Sequence, residues 1–197
     1  MLTPENSDIF SAYPRLLADK VLLNFVLDYF RLMISGSLNA HEISDLMDEE
    51  IETCEEELEV PAHSLNTVGD AFPAFGIVAA VMGVVNALAA ADRPAAELGT
   101  LIAHAMVGTF LGILIAYGFI LPLATLLRQK SSEQVKLLQC IKVTMLSSLN
   151  GYAPQIAVEF GRKTLFTSER PSFSELEEHV REVKSNASLN MKSSEAG

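Results

Sequence analysis

The chain has little of what marks a soluble enzyme or a disulfide-rich protein. Its 197 residues include only two cysteines, Cys54 and Cys140, and neither belongs to a CxxC pair or a Cys/His cluster. A disulfide framework or a structural metal site is therefore not expected. The sequence also lacks the GxGxxG, P-loop, GxSxG and HExxH motifs and any pair of carboxylates at a catalytic spacing. We expect no enzyme activity, no cofactor and no metal.

Charged residues are missing from two long stretches. Residues 71–91 form an uncharged run of 21 residues, and 98–127 a run of 30 whose only titratable groups are His104 and Tyr117. About 20 apolar residues of helix, each rising about 1.5 Å, cross a hydrocarbon core about 30 Å thick. Only six residues, 92–97, separate the runs. The sequence predicts an all-α membrane protein in which two transmembrane helices, about 71–91 and 98–122, form a hairpin with cytoplasmic helices on both flanks.

The remaining charge is unevenly distributed. Segment 1–70 holds 15 Asp/Glu against 3 Lys/Arg, whereas segment 128–197 holds 8 against 10. The net charge of −11 argues against a nucleic-acid partner, which would need a basic surface. Basic residues follow the second run closely but the link holds only Arg93, so the positive-inside rule places both termini in the cytoplasm. Residues 1–70 show no signal-peptide pattern, so the hairpin itself would direct insertion.

The segment before the hairpin has helical periodicity. Apolar positions between residues 9 and 33 recur at helical spacing, Pro14 marks a kink or a helix start, and Gly36 fits a C-terminal cap. Asp28 and Arg31 within this stretch favour an amphipathic cytoplasmic helix over a third span.

A second helix is predicted to begin at Asn39 and Glu42, which form a capping-box pattern, and to end at Pro61. Its acidic face is either a solvated surface or a docking surface for a basic partner. That face comprises Asp45, Asp48, Glu49, Glu50, Glu52, Glu55, Glu56, Glu57 and Glu59.

The second run is too long for the bilayer, because 30 residues of helix reach about 45 Å, so this helix must project into the cytoplasm. Its helical pattern continues to Asn150-Gly151. A short helix is predicted over 156–165, and Ser172 with Glu175 starts another that ends near Lys184. The polar remainder is predicted to be disordered. The predicted regions are therefore 1–70, 71–127, 128–184 and the tail 185–197.

Small residues recur at i, i+4 spacing in both spans, which allows close backbone approach in lipid. Because two helices alone would leave one seam unused, we expect an oligomeric bundle. The first seam is Gly76, Ala79, Ala80, Gly83 and Ala87, and the second is Gly108, Gly112 and Ala116, with Ala105 close by.

Four further positions carry alternatives. Pro73 and Pro122 near the cytoplasmic ends are either terminators or hinges. His104 is either an interfacial or helix-contacting imidazole or part of a proton relay. The Thr109 hydroxyl either bonds a carbonyl of its own helix or contacts a carboxylate. Because neither span has an acid, any ion path would need a carboxylate from another chain.

Long motifs along the whole chain resemble the flagellar stator branch of the MotA/TolQ/ExbB proton-channel family. These are FPAFGIVAAVMGVV, DRPAAELGTLIAHAMVGTFLGILIAYGF, PLATLLRQK and NGYAPQIAVEFGRKTLFTSERPSF. The resemblance implies an inner-membrane ring of five copies around two MotB chains. MotB would supply the membrane aspartate and the anchor to peptidoglycan, and the cytoplasmic flanks would push on the rotor protein FliG.

The resemblance also assigns residues. It implies that Pro73 and Pro122 couple ion passage to movement of the cytoplasmic part, and that Ala80 lacks the hydroxyl typical of sodium-driven relatives, which favours protons. The implied MotB-facing positions are Ala80, Met106, Thr109 and Tyr117. Possible rotor-facing charges are Asp28, Arg31, Glu49 and Glu50, and the candidate helix-packing residues are Gly76, Gly83, Gly108 and Gly112.

The chain departs from the family pattern of four spans. It lacks the first two spans and the family's charged rotor-contact pair, so we expect a truncated or split form of a stator subunit. Two alternatives stay open: a TolQ/ExbB-like energiser of envelope processes, and a non-conducting fragment that only binds partners.

Overall fold

The computed structural model describes Phe10 and residues 13–194. Every regular element in this part of the chain is helical. Two compact units are present: Met1–Thr53 with Glu133–Gly197 (the first unit), and Cys54–Ser132 (the second unit). The elements are α1 (Pro14–Ala18), α2 (Lys20–Ser35), α3 (Ala40–Ala89), α4 (Ala95–Ile115), a π-helical turn (Ala116–Ile120), α5 (Leu121–Leu149), α6 (Pro154–Thr164) and α7 (Phe173–Ser194).

The ends of α1 and α2 follow from local chemistry. Pro14 is the first residue of α1, where its missing N–H costs nothing. Asp19 separates the two helices, because its carboxylate accepts from the backbone N–H of Val21 and Leu22 at 3.1 Å. Gly36 ends α2 with φ of 63°, which confirms the predicted cap. The sequence pattern gave no sign of the break at Asp19.

Two capping boxes are confirmed. The backbone N–H of Asn39 donates to Glu42 Oε2 at 2.8 Å, and the N–H of Glu42 donates to Asn39 Oδ1 at 3.0 Å. Ser172 and Glu175 form the same reciprocal pair at 2.6 and 3.3 Å before α7. The hydrogen bonds from Ser172 lower the pKa of Glu175.

The prediction that Pro61 ends a helix is wrong. Helix α3 runs for 50 residues with Pro61 and Pro73 inside it. Proline removes one hydrogen bond from a helix interior, but the turns before and after it can continue. The carbonyl of Leu58, three residues before Pro61, accepts from Ser131 Oγ of α5 at 2.9 Å. The border expected near residue 70 therefore lies inside a continuous helix.

The second long helix continues beyond its apolar run, as predicted. Residues Ala95–Leu149 form 55 residues of helix, followed by Gly151 with φ of 84°. In the described part of the chain, this helix and Ala40–Ala89 are long and apolar enough to cross a membrane. Only 17% and 11% of their most apolar windows are buried, whereas the core helix of a soluble protein would be mostly buried. The chain is an all-α membrane protein.

The first unit has its own core. Its largest fully buried side chains come from α2, α3 and α5, and the Lys142 ammonium of α5 forms an ion pair with Asp48 of α3. Helix α6 lies close to α5 at Gly161, where a Cβ would come within 2.9 Å of the Cys140 carbonyl oxygen. The buried core side chains include Phe25, Tyr29, Ile43, Met47 and Leu138.

A buried arginine, Arg162, holds the segment that follows α6 in place. The Arg162 guanidinium, 8% exposed, donates to both oxygens of Glu159 at 2.6 and 2.7 Å and to the Pro171 carbonyl at 2.8 Å. This pairing lowers the pKa of Glu159. Arg170 donates to the carbonyls of Leu165 and Lys163, at the C-terminus of α6.

Helix α7 is longer than the sequence predicts. It reaches Ser194, whereas we expect its end near Lys184 and a disordered tail over 185–197. Residues 185–194 contain no glycine or proline, so the backbone hydrogen bonds continue. Their polar composition excludes a place in a buried core, but it does not prevent the formation of a local helix. Residues 195–197 lie outside the described part.

Candidate functional site

The two small-residue seams of the hairpin face each other. A Cβ added to Gly76 would lie 2.9 Å from the Gly108 carbonyl oxygen, and one added to Gly112 would lie 2.6 Å from the Phe72 carbonyl oxygen. A Cβ on Gly83 would overlap the methyl group of Ala105. The backbones of α3 and α4 therefore approach too closely for any larger side chain at these glycines.

This pairing changes the expectation about assembly. The structure brings together all four candidate packing glycines, and Ala87, Ala105 and Ala116 are buried as well. Neither seam is left unused, so the argument for an oligomer from an unpaired seam does not hold, and the expected assembly rests on the family resemblance alone. The exposed surfaces of the hairpin are instead the large apolar side chains on the remaining faces of α3 and α4.

The Thr109 hydroxyl crosses from α4 to α3. Its Oγ1 donates to the Gly76 carbonyl at 3.2 Å. Thr100 and Thr125, by contrast, bond back to their own helix carbonyls at 3.0 Å. A hydroxyl has one proton and two lone pairs. With its proton donated to Gly76, Thr109 can offer only acceptor capacity to a third group.

The four candidate MotB-facing residues lie on one side of the hairpin. An α-helix turns about 100° per residue. On this count Ala80 flanks the α3 seam, and Thr109, Met106 and Tyr117 flank the α4 seam. Because the two helices run antiparallel, these flanks fall on the same side of the pair. Met106 and Tyr117 are 66% and 64% exposed, so this face is open to a neighbour.

His104 does not share that face. By the same helical count it lies about 160° around α4 from Met106. Its side chain is exposed on a different side of the pair. A proton relay that includes both His104 and the face of Ala80 and Thr109 is therefore not supported.

Neither Pro73 nor Pro122 terminates a helix. Pro73 lies inside α3 and has no N–H for the Gly69 carbonyl. Pro122 is the second residue of α5 and directly follows the π-helical turn, in which the Leu121 N–H donates to the Ala116 carbonyl. A proline removes a donor and crowds the preceding turn, and a widened turn relieves that crowding. The terminator interpretation is excluded for both residues.

The two proline regions are neighbours. A Cβ on Gly69, one turn before Pro73, would lie 2.8 Å from Leu121 Cδ2, next to Pro122. The hydrogen bond that α3 lacks at Pro73 and the π-helical turn before Pro122 therefore lie at the same level of the hairpin. The sequence contained Pro122 but no signal for the π-helical turn itself.

The candidate rotor-facing charges lie in the first unit and have different surroundings. Asp28 and Arg31 form an exposed ion pair at 2.8 Å. The Glu50 carboxylate accepts from the Tyr29 hydroxyl at 2.7 Å. Burial, followed by the hydrogen bond to Glu50, raises the pKa of Tyr29 well above its ordinary value. Glu49 is exposed and has no ion pair within the described part of the chain.

Sequence reasoning missed the groups that hold these carboxylates. Tyr29 and Lys142 reach Glu50 and Asp48 across 21 and 94 positions of sequence, and no local pattern connects such distant positions. Most of the acidic face of α3 is exposed, which fits a solvated face and a docking surface equally well.

Residues 18–140 match the MotA/TolQ/ExbB proton channel family. The chain is 74% identical to Motility protein A of Salmonella typhimurium over 181 residues, which cover 92% of this chain and 61% of that relative. Motility protein A of Escherichia coli K12 gives the same identity and coverage. The chain therefore spans less than two thirds of the length of these curated relatives.

Two solved structures have a similar fold. The MotAB structure from C. jejuni superposes with a TM-score of 0.68 at 23% identity, covering 85% of this chain and 65% of that one. The flagellar MotAB stator complex from Bacillus subtilis gives a TM-score of 0.65 at 31% identity, covering 81% of this chain and 58% of that one. The hairpin and its flanking helices thus have the fold of MotAB structures.

Proposed function

Because the chain belongs to the MotA/TolQ/ExbB proton channel family, we propose that it is part of a flagellar motor stator subunit. With MotB it forms a proton channel and converts proton flow into torque on the rotor protein FliG. The observation that carries this proposal is the 74% identity to Motility protein A over 92% of the chain. Because these relatives are motility proteins, the motor is preferred to an envelope energiser of the TolQ/ExbB kind.

The hairpin supplies the wall of the proton path and leaves the acid to MotB. Neither uncharged run contains an Asp, Glu, Lys or Arg, and a proton crossing lipid needs an ionisable group near the midplane. The face of Ala80, Met106, Thr109 and Tyr117 is the one turned to MotB. It belongs to a ring of copies, five in the family pattern, around two MotB chains.

Thr109 gives this face a preference for one protonation state. Its hydroxyl proton is donated to the Gly76 carbonyl at 3.2 Å, so a carboxyl group beside it meets only oxygen lone pairs. A protonated carboxylic acid can donate to those lone pairs, whereas a carboxylate is repelled by them. Thr109 therefore stabilises the proton-loaded acid of MotB.

The layer of Pro73 and Pro122 couples proton movement to the cytoplasmic helices. A backbone hydrogen bond is missing at Pro73, and the π-helical turn replaces the regular pattern before Pro122, so bending in this layer costs less than elsewhere in the hairpin. Loading and release of the proton change the charge beside the hairpin, and the helices respond by bending at the prolines. Asp28, Arg31, Glu49 and Glu50 are the charges of the first unit that FliG would meet.

The location follows from the same proposal. The subunit lies in the bacterial inner membrane with both flanks in the cytoplasm, because basic residues gather after the second span. Protons are favoured over sodium, since Ala80 offers no oxygen ligand to a desolvated metal ion.

Complementation of a motile strain that lacks its own stator subunit tests the proposal. The chain is expressed with MotB, once alone and once preceded by the N-terminal third of Motility protein A. We expect the extended form to restore swimming. Failure of the extended form to restore swimming, although it reaches the membrane with MotB, would overturn the proposal.

Proline variants in the extended form test the coupling step. Pro122→Ala should reduce swimming at least tenfold while assembly with MotB is retained, because the second long helix loses its proline in the bending layer. Pro61→Ala is the matched control: it also removes a proline from a helix interior but lies outside the uncharged run, and swimming should persist. Equal loss in both variants would contradict a special role for Pro122.

A further inference from the structure

A groove of about 580 Å³ opens in the first unit along α6 and α7. Its walls are mostly apolar, and those from α7 recur at helical spacing on one face of that helix. Val183, near one end, is 51% exposed, so the two helices do not close over the groove. The apolar wall includes Pro154, Val158, Leu176, Val180 and Val183.

The charge along the groove has one sign. The lining residues include His179 and Lys184 but no carboxylate. Glu177 is the acid of α7 nearest in direction to Lys184, but it pairs with Arg181 at 3.4 Å. Glu175, Glu178 and Glu182 lie at about 100° or more from the Leu176 direction. No carboxylate in the described part of the chain forms an ion pair with Lys184. The groove therefore presents a cation that is free to meet an anion.

His179 adds a second polar contact. Its Nδ1 lies 2.8 Å from the Glu175 carbonyl oxygen, and because a carbonyl only accepts, Nδ1 is the protonated nitrogen. The other ring nitrogen, Nε2, is left for a ligand. An apolar groove with one or two polar groups at its edge is the usual form of a small-molecule site.

We propose that this groove binds a fatty carboxylate. The alkyl chain lies along Leu176, Val180 and Val183 against α6, and the carboxylate pairs with Lys184 at the edge of the groove. From Leu176 to Lys184 the helix rises about 12 Å, which suits an aliphatic chain of medium length. Each additional buried CH₂ should raise the affinity about fourfold until the groove is full. This site is independent of the proton path in the hairpin.

Photo-crosslinking tests the proposal on the whole chain in detergent-free lipid nanodiscs. The probe is dodecanoic acid with a diazirine near the end of its alkyl chain, and labelled peptides are located by mass spectrometry. We expect labelling of residues 153–158 and 176–184 that unlabelled dodecanoate removes. Dodecanol, which has the same chain without the charge, should compete at least tenfold less well.

Two charge reversals on α7 isolate the role of Lys184. Lys184→Glu should reduce labelling of the groove about tenfold. Arg181→Glu is the matched control, because Arg181 is exposed, does not line the groove and pairs with Glu177 at 3.4 Å. Both sites are on the surface, and circular dichroism verifies that both variants keep their helices. Val180→Arg should block the groove and abolish labelling there.

Any one of the following results would overturn the proposal. The first is labelling confined to the membrane spans. The second is equal loss in Lys184→Glu and Arg181→Glu, or equal competition by dodecanol. The third is a crosslink between α6 and α7 of two copies that excludes the probe, which would make the groove a contact between chains.

Discussion

At the scale of single residues, the Thr109 hydroxyl has a partner that neither interpretation of the sequence included. Thr109 was equally compatible with a bond to its own helix and with a contact to an incoming acid. Its bond to the Gly76 carbonyl of the other helix is neither of these. A side chain's partner on another helix depends on the crossing geometry, which sequence spacing does not specify.

Replacing Thr109 by valine keeps the shape and removes the hydroxyl. We expect Thr109→Val to lose about 0.6 kcal/mol of helix–helix interaction, the average for polar contacts between membrane helices. The loss of swimming should be larger than this small change in stability suggests, because the acceptor for the protonated acid disappears as well. Thr109→Ser retains a hydroxyl and should keep most of the swimming speed. Equal swimming of the valine and serine variants would contradict the role given to the hydroxyl.

Tyr29 makes the stability of the first unit depend on pH in alkaline solution. Burial raises the pKa of its phenol above the ordinary value of 10.0, so the folded state holds the proton more tightly than the unfolded state. The stabilisation is complete below about pH 10 and is lost as the pH rises above that value. Thermal unfolding of the wild type should therefore show falling stability above pH 10.

Tyr29→Phe should remove the part of the stability loss above pH 10 that comes from ionisation of the Tyr29 phenol. At neutral pH this variant should cost about 1 kcal/mol, because the Glu50 carboxylate loses a hydrogen bond. Tyr152→Phe, at a side chain 51% exposed, is the control and should leave both the neutral stability and the alkaline loss unchanged. An alkaline loss as steep in Tyr29→Phe as in the wild type would assign the effect to other groups.

At the scale of helices, the sequence predicted which helices form and where most of them end better than it predicted the effect of a proline inside a helix. The capping boxes at Asn39 and Ser172 and the glycines Gly36 and Gly151 mark ends through local chemistry, which a short stretch of sequence contains. Pro61 was predicted to end a helix that in fact continues. Whether a proline ends a helix depends on how much stabilisation the following turns receive from their neighbours.

The glycine seam is the feature of the helix pair most sensitive to volume. A Cβ on Gly83 would overlap Ala105, so Gly83→Leu should destabilise the hairpin by about 1–3 kcal/mol or force the helices apart. Gly99→Leu is the matched control in α4, because no atom lies within 4 Å of its would-be Cβ. Unfolding of both variants in nanodiscs measures the difference. Equal stability of the two would show that α3 and α4 do not pack along this seam.

At the scale of the whole molecule, an all-α membrane hairpin could be predicted because absence of charge over two runs is a property of sequence alone. The side of the hairpin that carries Ala80, Met106 and Tyr117 could not be derived that way. It emerges only when the two seams are seen to face each other. The groove along α6 and α7 had no sequence signal, since it depends on how the two helices lie against each other.

The proposed orientation gives a prediction about access from the two sides of the membrane. In a chain whose native cysteines are replaced by alanine, a cysteine at Ala95 should react with an impermeant maleimide in intact cells. A cysteine at Glu178 should react only after permeabilisation, since the C-terminal flank is cytoplasmic in the proposal. Reaction of the Glu178 site in intact cells would reverse the orientation.

Only a few residues separate the end of α3 at Ala89 from the start of α4 at Ala95. The entropy lost on closing so short a loop is small, so each helix meets its partner at a very high effective concentration. Dilution in lipid favours dissociation of an assembly of separate chains, but it does not affect two helices of the same chain. The hairpin should thus survive as the smallest unit that can be inserted, stored and recruited before an assembly exists.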